Sequence, residues 1–109
     1  ESLAKLVSQK LATCTTVADS GKEITKIALC GGAGGDFFGD VINAGCDAYI
    51  TGEAKHHEFL EAKSIGVTLI AAGHFETENI AIKPLANKIA DEFKVECLLA
   101  SQNTPIMTI

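Results

Sequence analysis

The sequence predicts an α/β domain built from βαβ units around a largely parallel or mixed sheet, and three observations lead there. Short runs rich in apolar and β-branched residues alternate with segments whose apolar residues recur at helical spacing. Parallel neighbours need such a crossover between them. The unusual residues of the chain fall directly after those runs, at the carboxyl ends of the expected strands. Finally, 109 residues that are 47% apolar and 21% charged fit one compact domain, residues 1–109, with no room for a second.

Taken in order, Leu3, Leu6, Val7 and Leu11 recur at helical spacing and predict a helix over residues 2–12, which the polar stretch 18–23 ends. Strands are expected over 25–30, 48–51, 67–71 and 95–99, and helices between them over 36–44, 54–64 and 75–93. Pro84 falls inside the last helical pattern, so that helix is expected to kink, or to split near Lys83 into a short turn and a longer helix from Leu85. The tail from residue 101 to 109, with Pro105, reads as a loop followed by a short edge strand.

Composition narrows the partners. All nine basic residues are Lys, against fourteen acids, for a net charge of -5. A phosphate backbone calls for a clustered basic face and usually for the Arg fork, so nucleic acid is not an expected partner. The uncharged stretches fall short of the roughly 18 to 20 apolar residues that span a bilayer, so no membrane association is expected either. Cys14, Cys30, Cys46 and Cys97 contain no CxxC pair, which argues against a zinc site built on them. They read as small buried hydrophobes of a cytoplasmic protein. The chain opens on Glu1 without a signal-peptide pattern and reads as a partial chain.

Three motifs carry the chemistry. Gly31-Gly32-Ala33-Gly34-Gly35-Asp36 follows the first strand, Thr51-Gly52-Glu53-Ala54-Lys55-His56-His57 the second, and Gly73-His74-Phe75-Glu76-Thr77-Glu78 the third. Parallel strands would set all three on one rim, where open α/β sheets bind ligands. The glycine loop matches neither common phosphate fingerprint, and Asp36 would repel a phosphate at the helix start. It reads either as a tight turn capped by Asp36 or as an opening that lets substrate reach backbone amides. His56 and His57 point about 100° apart on a helix and would not chelate one ion together. Glu53, His57 and Glu61 are spaced by four, so a carboxylate there would hold one imidazole tautomer and make His57 an acid/base candidate. A solvated face with an ordinary i,i+4 pair has the same spacing. His74 and Glu78, also four apart at a helix start, suit two ligands of a metal, while Glu76 points away. Simple complementarity to the helix dipole is the alternative there.

The run CGGAGGDFFGDVINAGCDAYITGEAKHHEFLEAKSIGVTLIAAGHFETE resembles the Nif-three-like family, the hexameric dinuclear-metal proteins also called GTP cyclohydrolase I type 2 homologues. GG-x-GGD, TGE-xx-HH and GHF-x-TE occur in order over nearly the whole chain. The resemblance implies a layered α/β/α fold and a centre of two divalent ions, Zn, Fe, Mn or Co, with His74 and Glu78 as this chain's ligands. A His pair and an Asp complete that centre from an amino-terminal half, so this chain corresponds to the carboxyl-terminal half. The TGE-xx-HH motif lies beside the centre, which leaves His57 or Glu53 as proton-transfer candidates. The implied function is metal-dependent hydrolysis of a nucleotide-like or other small polar substrate in a homo-oligomer, a hexamer in the full-length protein. A metal-binding scaffold or metal carrier without turnover is the alternative.

Overall fold

The structure, a computed structural model, describes residues 2–101; the strand expected in the tail beyond them lies outside the described residues. The elements run α1 (Ser2–Leu11), β1 (Thr16–Ala18), β2 (Ile27–Cys30), a 3-10 turn (Gly35–Phe37) leading into α2 (Phe38–Asn43), β3 (Ala48–Thr51), α3 (His56–Ile65), β4 (Thr68–Ala71), α4 (His74–Asn79) and α5 (Ile82–Phe93). They form one mixed four-stranded sheet in the order β1-β4-β3-β2, with β2, β3 and β4 parallel and β1 antiparallel to β4. The class is the α/β class that the alternation of elements predicts.

Period-two alternation sorts the strand residues into two cores. Tyr49 and Leu69 point to one face, where Phe38 and Val41 of α2 and Ala62 of α3 cover them. Ile50 and Ile70 point to the other, against Ala4, Leu3 and Val7 of α1. β3 is buried along its whole length and β4 nearly so, which places both in the interior of the sheet and leaves β1 and β2 as edges. Leu69 and Ile70 are fully buried, and truncating either to Ala would cost about 2–5 kcal/mol.

Four readings need correction. β1 was not legible as a strand: three residues a short turn after a helix carry no usable alternation, and only the exposed edge of β4 recruits them, in the register Thr16↔Ala71. Residues 95–99 form no strand; Val95, Leu98 and Leu99 are exposed, because strand propensity is expressed only where a neighbour supplies the ladder. The break in the last helical segment falls at residues 80–81 rather than near Lys83. Pro84 is the third residue of α5, where its missing N–H would have no intrahelical partner anyway, and its ring disfavours helical continuity with Ile80 four residues back. The first strand also starts two residues later than expected, at Ile27, because Thr25 and Lys26 are held by a side chain instead. Among the described residues no helix is long and apolar enough to cross a membrane.

That side chain is Asp47, at the entry to β3. Its carboxylate accepts from Thr25 N (2.9 Å), Thr25 Oγ1 (2.7 Å) and Lys26 N (2.8 Å) and so pins the entry of β2 to that of β3. The Thr25 hydroxyl first, then the two backbone amides, hold the Asp47 carboxyl below its ordinary value. A depressed folded-state value stabilises the fold above the ordinary carboxylate range, and the contribution is lost as pH falls through the lowered value. Asp47→Ala is therefore expected to lower the melting temperature at neutral pH and to flatten its fall on acidification, as read by thermal denaturation between pH 7 and pH 3.

Candidate functional site

The β3–β4 ladder does not stop at the strand ends. Ala72 N donates to Thr51 O (2.9 Å) and Gly73 N to Gly52 O (2.9 Å), so the two loops leave the sheet side by side. Gly52 N and Glu53 N both donate to Gly32 O (2.9 and 3.0 Å), which brings in the glycine loop. Thr77 closes the junction: its Oγ1 accepts from Gly32 N (3.0 Å) and donates to Gly73 O (2.8 Å). The three motifs thus meet through backbone hydrogen bonds on the carboxyl rim of the sheet. Gly52 stands at the centre, where a Cβ would lie 2.6 Å from Gly32 O, 2.7 Å from Thr77 Oγ1 and 2.9 Å from Gly73 O.

The glycine loop is braced from below. Buried Thr51 accepts from Gly34 N (3.0 Å) and donates to Gly32 O (3.1 Å), and the Tyr49 hydroxyl donates to Gly34 O (2.7 Å). Burial pushes the Tyr49 hydroxyl up to about 12, so it remains a neutral donor. Asp36 does not cap this turn. Gly34 stands at the N-cap of the 3-10 turn, with no side-chain hydrogen bond to it.

On this base stands one imidazole between two carboxylates. Gly73 is the N-cap of α4, so His74 and Glu78 occupy successive turns of one helix face, with His74 Nε2 3.2 Å from Glu78 Oε1. His74 Nδ1 lies 3.3 Å from Glu53 Oε2. Hydrogen bonding to Glu53 is the main influence holding the imidazole above its ordinary value; burial opposes it, and the charges of Glu78 and Glu53 add to it. Gly32, at φ +68°, comes so close that a Cβ would strike the Glu78 carboxylate and lie 3.3 Å from His74 Nε2. The side chains of His74, Glu53 and Glu78 are 47%, 60% and 56% exposed, so these contacts add little to stability. Among the described residues no three His, Cys, Asp or Glu side chains are placed to hold an ion.

The other candidates lie around this pair. Glu53 precedes α3, which begins only at His56, so the i,i+4 face of Glu53, His57 and Glu61 does not form as one helical row. Glu53 holds His74 instead of His57. His57 and Glu61 are exposed on α3. His56 lines a cleft of about 430 Å³ together with Glu53, Phe59, Thr16 and Cys14. A second cleft of about 370 Å³ lies on the glycine-loop side of Glu53, lined also by Asp36, Lys55 and Glu58. Glu76 turns back toward Gly73. The four thiols are free, and of them only Cys46 is buried; Cys14 is exposed because antiparallel β1 starts at the rim where its parallel neighbours end.

Two residues escaped the sequence reading. Thr77 carried one usable signal, since a Thr in the first turn of a helix often bonds the carbonyl four residues back. Glu58 is the only buried charged side chain among the described residues and accepts from Lys55 N (2.5 Å) at the start of α3. Its position three residues after the N-cap was the signal.

The arrangement defines a class: an α/β protein with a mixed sheet whose glycine loops gather one histidine and two carboxylates on the carboxyl rim. The chain belongs to the Duf34/NIF3 (NGG1p interacting factor 3) family, whose model matches residues 1–105. It is 32% identical over 102 residues to the GTP cyclohydrolase 1 type 2 homolog of Pseudomonas aeruginosa, covering 94% of this chain and 40% of that protein. It is 39% identical over 74 residues to the Protein NIF3 homolog of Schizosaccharomyces pombe, covering 67% of this chain and 26% of that protein. Among solved structures it superposes on protein ybgI with a TM-score of 0.84 at 27% identity, covering 96% of this chain and 43% of that one. On the Staphylococcus aureus protein SA1388 the TM-score is 0.80 at 28% identity, with 97% and 32% covered. The chain therefore spans well under half the length of the relatives it matches.

The electrostatics of His74 can be tested directly. Carboxylates on both ring nitrogens favour the imidazolium, so in metal-free protein His74 is expected to titrate above an ordinary histidine. Glu53→Gln should bring that midpoint down. Imidazole resonances followed by NMR across the titration check both.

Proposed function

We propose that this chain supplies one share of a dinuclear metal centre that serves hydrolysis of a small, nucleotide-like or otherwise polar substrate. One observation carries the reading: the facing Nε2 of His74 and Oε1 of Glu78, 3.2 Å apart, against a glycine whose Cβ would fill the same space. The donor set suits Zn, Fe, Mn or Co, and no thiolate biases the choice. Two donors do not close a site, so the remaining ligands come from outside this chain. The names of the relatives support the nucleotide-like substrate.

When bound, such ions polarise substrate oxygens and activate a water. The residues of this chain prepare for that. Glu53, by accepting Nδ1–H, fixes the His74 tautomer that leaves Nε2 free to ligate, the usual task of a carboxylate behind a metal-bound histidine. Holding His74 occupies Glu53, so proton transfer falls to the histidines of α3. Both are exposed, but His56 lines the cleft beside Glu53, whereas His57, the residue favoured by spacing, does not, so His56 is the better placed of the two. The carboxylates of Asp36, Glu53 and Glu58 around the second cleft repel a bare phosphate, so an anionic substrate would depend on the ions' charge for entry.

Metal analysis of the intact protein tests the reading. His74→Ala is expected to lose most bound metal, Glu76→Ala little, and the His56→Ala and His57→Ala variants to retain it. Equal retention by His74→Ala and Glu76→Ala would overturn the ligand assignment. Metal bound tightly with no turnover against any nucleotide would favour a carrier or scaffold over a hydrolase.

The chain is also proposed to work within a larger cytoplasmic assembly, a homo-oligomer and in the full-length protein a hexamer. Ile82, Leu85, Ile89 and Phe93 form an apolar stripe along α5, a helix with no buried residue. Light scattering on the intact protein should give an oligomer's mass, and Ile89→Glu should lower that mass or the protein's solubility. A monomeric intact protein would remove the reading.

A further inference from the structure

We propose that Thr77 is a positioning residue for the His74–Glu78 pair, its hydroxyl fixing the glycine loop against the two donors; the proposal rests on the metal reading above. Glycine-loop backbone forms one wall of the pair. A Cβ on Gly31 would lie 3.0 Å from Thr77 O and 3.6 Å from Glu78 Cγ, and one on Gly32 would strike the Glu78 carboxylate. With room for no side chain beside Gly32 and little beside Gly31, the loop backbone confines Glu78 toward His74 only while the loop stays where it is. Among the described residues, the hydrogen bond that ties the loop to α4 is Gly32 N–H to Thr77 Oγ1 at 3.0 Å.

The hydroxyl is needed on both sides. It donates to Gly73 O at 2.8 Å, the N-cap carbonyl of the helix that carries His74 and Glu78, and accepts from Gly32 with its lone pair. One atom thereby links the loop, the start of α4 and, through Gly73 N to Gly52 O, the turn that carries Glu53. A valine in its place has nearly the same shape but leaves the N–H of buried Gly32 without this acceptor. Gly73 O would keep the Thr77 N–H at 3.2 Å, so the helix start persists while the loop is released. The expected consequence is a pair whose carboxylate can swing away from the imidazole.

The test uses Thr77→Val and Thr77→Ser in the intact protein, with His74→Ala alongside. Zn²⁺ affinity is measured against a competing chelator, and exchange of the Gly32 amide and melting temperature are recorded for each. Thr77→Val is expected to weaken Zn²⁺ by at least about tenfold, the loss usual for a residue that supports a ligand from behind, and to speed Gly32 exchange by a similar factor. Thr77→Ser should restore both. Unchanged affinity and exchange in Thr77→Val would overturn the proposal, as would a serine variant that behaves like valine, since the effect would then belong to shape. If wild-type protein binds no Zn²⁺, or His74→Ala binds it equally, the metal reading fails. Gly32 exchange and the His74 imidazole resonance then decide the positioning claim: both must move in Thr77→Val and return in Thr77→Ser, and a resonance that stays put overturns it.

Discussion

The rim of this protein depends on the close approach of three loops at Gly52. Gly32 O, Gly73 O and Thr77 Oγ1 all lie within 3 Å of where a Cβ on Gly52 would be, two of them backbone atoms unable to move aside without moving a loop. The continued β3–β4 ladder, the Gly32 carbonyl and the Thr77 hydroxyl hold that junction together. Each is a polar contact shielded by the loops it joins, where a lost partner costs more than the net value of the bond. The geometry of His74, Glu78 and Glu53 follows from this junction, because each side chain leaves the backbone within two residues of it.

The stability of the site and its chemistry have different sources. The half-exposed pairs around His74 contribute little to folding. Stability comes from the two cores on either side of the sheet and from buried partners below the loop, Tyr49 and Thr51. A rim braced in this way can keep a carboxylate on each nitrogen of one imidazole without the fold relying on either.

The acidic character of the chain also takes on a location. Four of the fourteen acids, Asp36, Glu53, Glu58 and Glu78, surround the glycine loop. Such a rim attracts cations and discourages bare anions. In family terms, the match over residues 1–105 gives the fold and the kinship, and the chain spans 40% of the length of the Pseudomonas aeruginosa relative.

By itself the sequence determined the class, the three parallel strands and the gathering of three motifs on one edge, because apolar periodicity and glycine placement are local properties that survive without a partner. His74 and Glu78 were legible for the same reason: four residues on one helix is a local distance. What only the tertiary structure decided was everything that spans separate elements. Glu53 reads as a neighbour of His57 by spacing and becomes a partner of His74, because α3 begins after it and the extended ladder carries it toward α4. β1 exists only because β4 presents an open edge, and residues 95–99 remain unpaired because neither edge takes them. Thr77 shows the limit most sharply: its hydroxyl joins α4 to the glycine loop 45 residues away, and long-range hydrogen bonds leave no periodic trace in the chain that makes them.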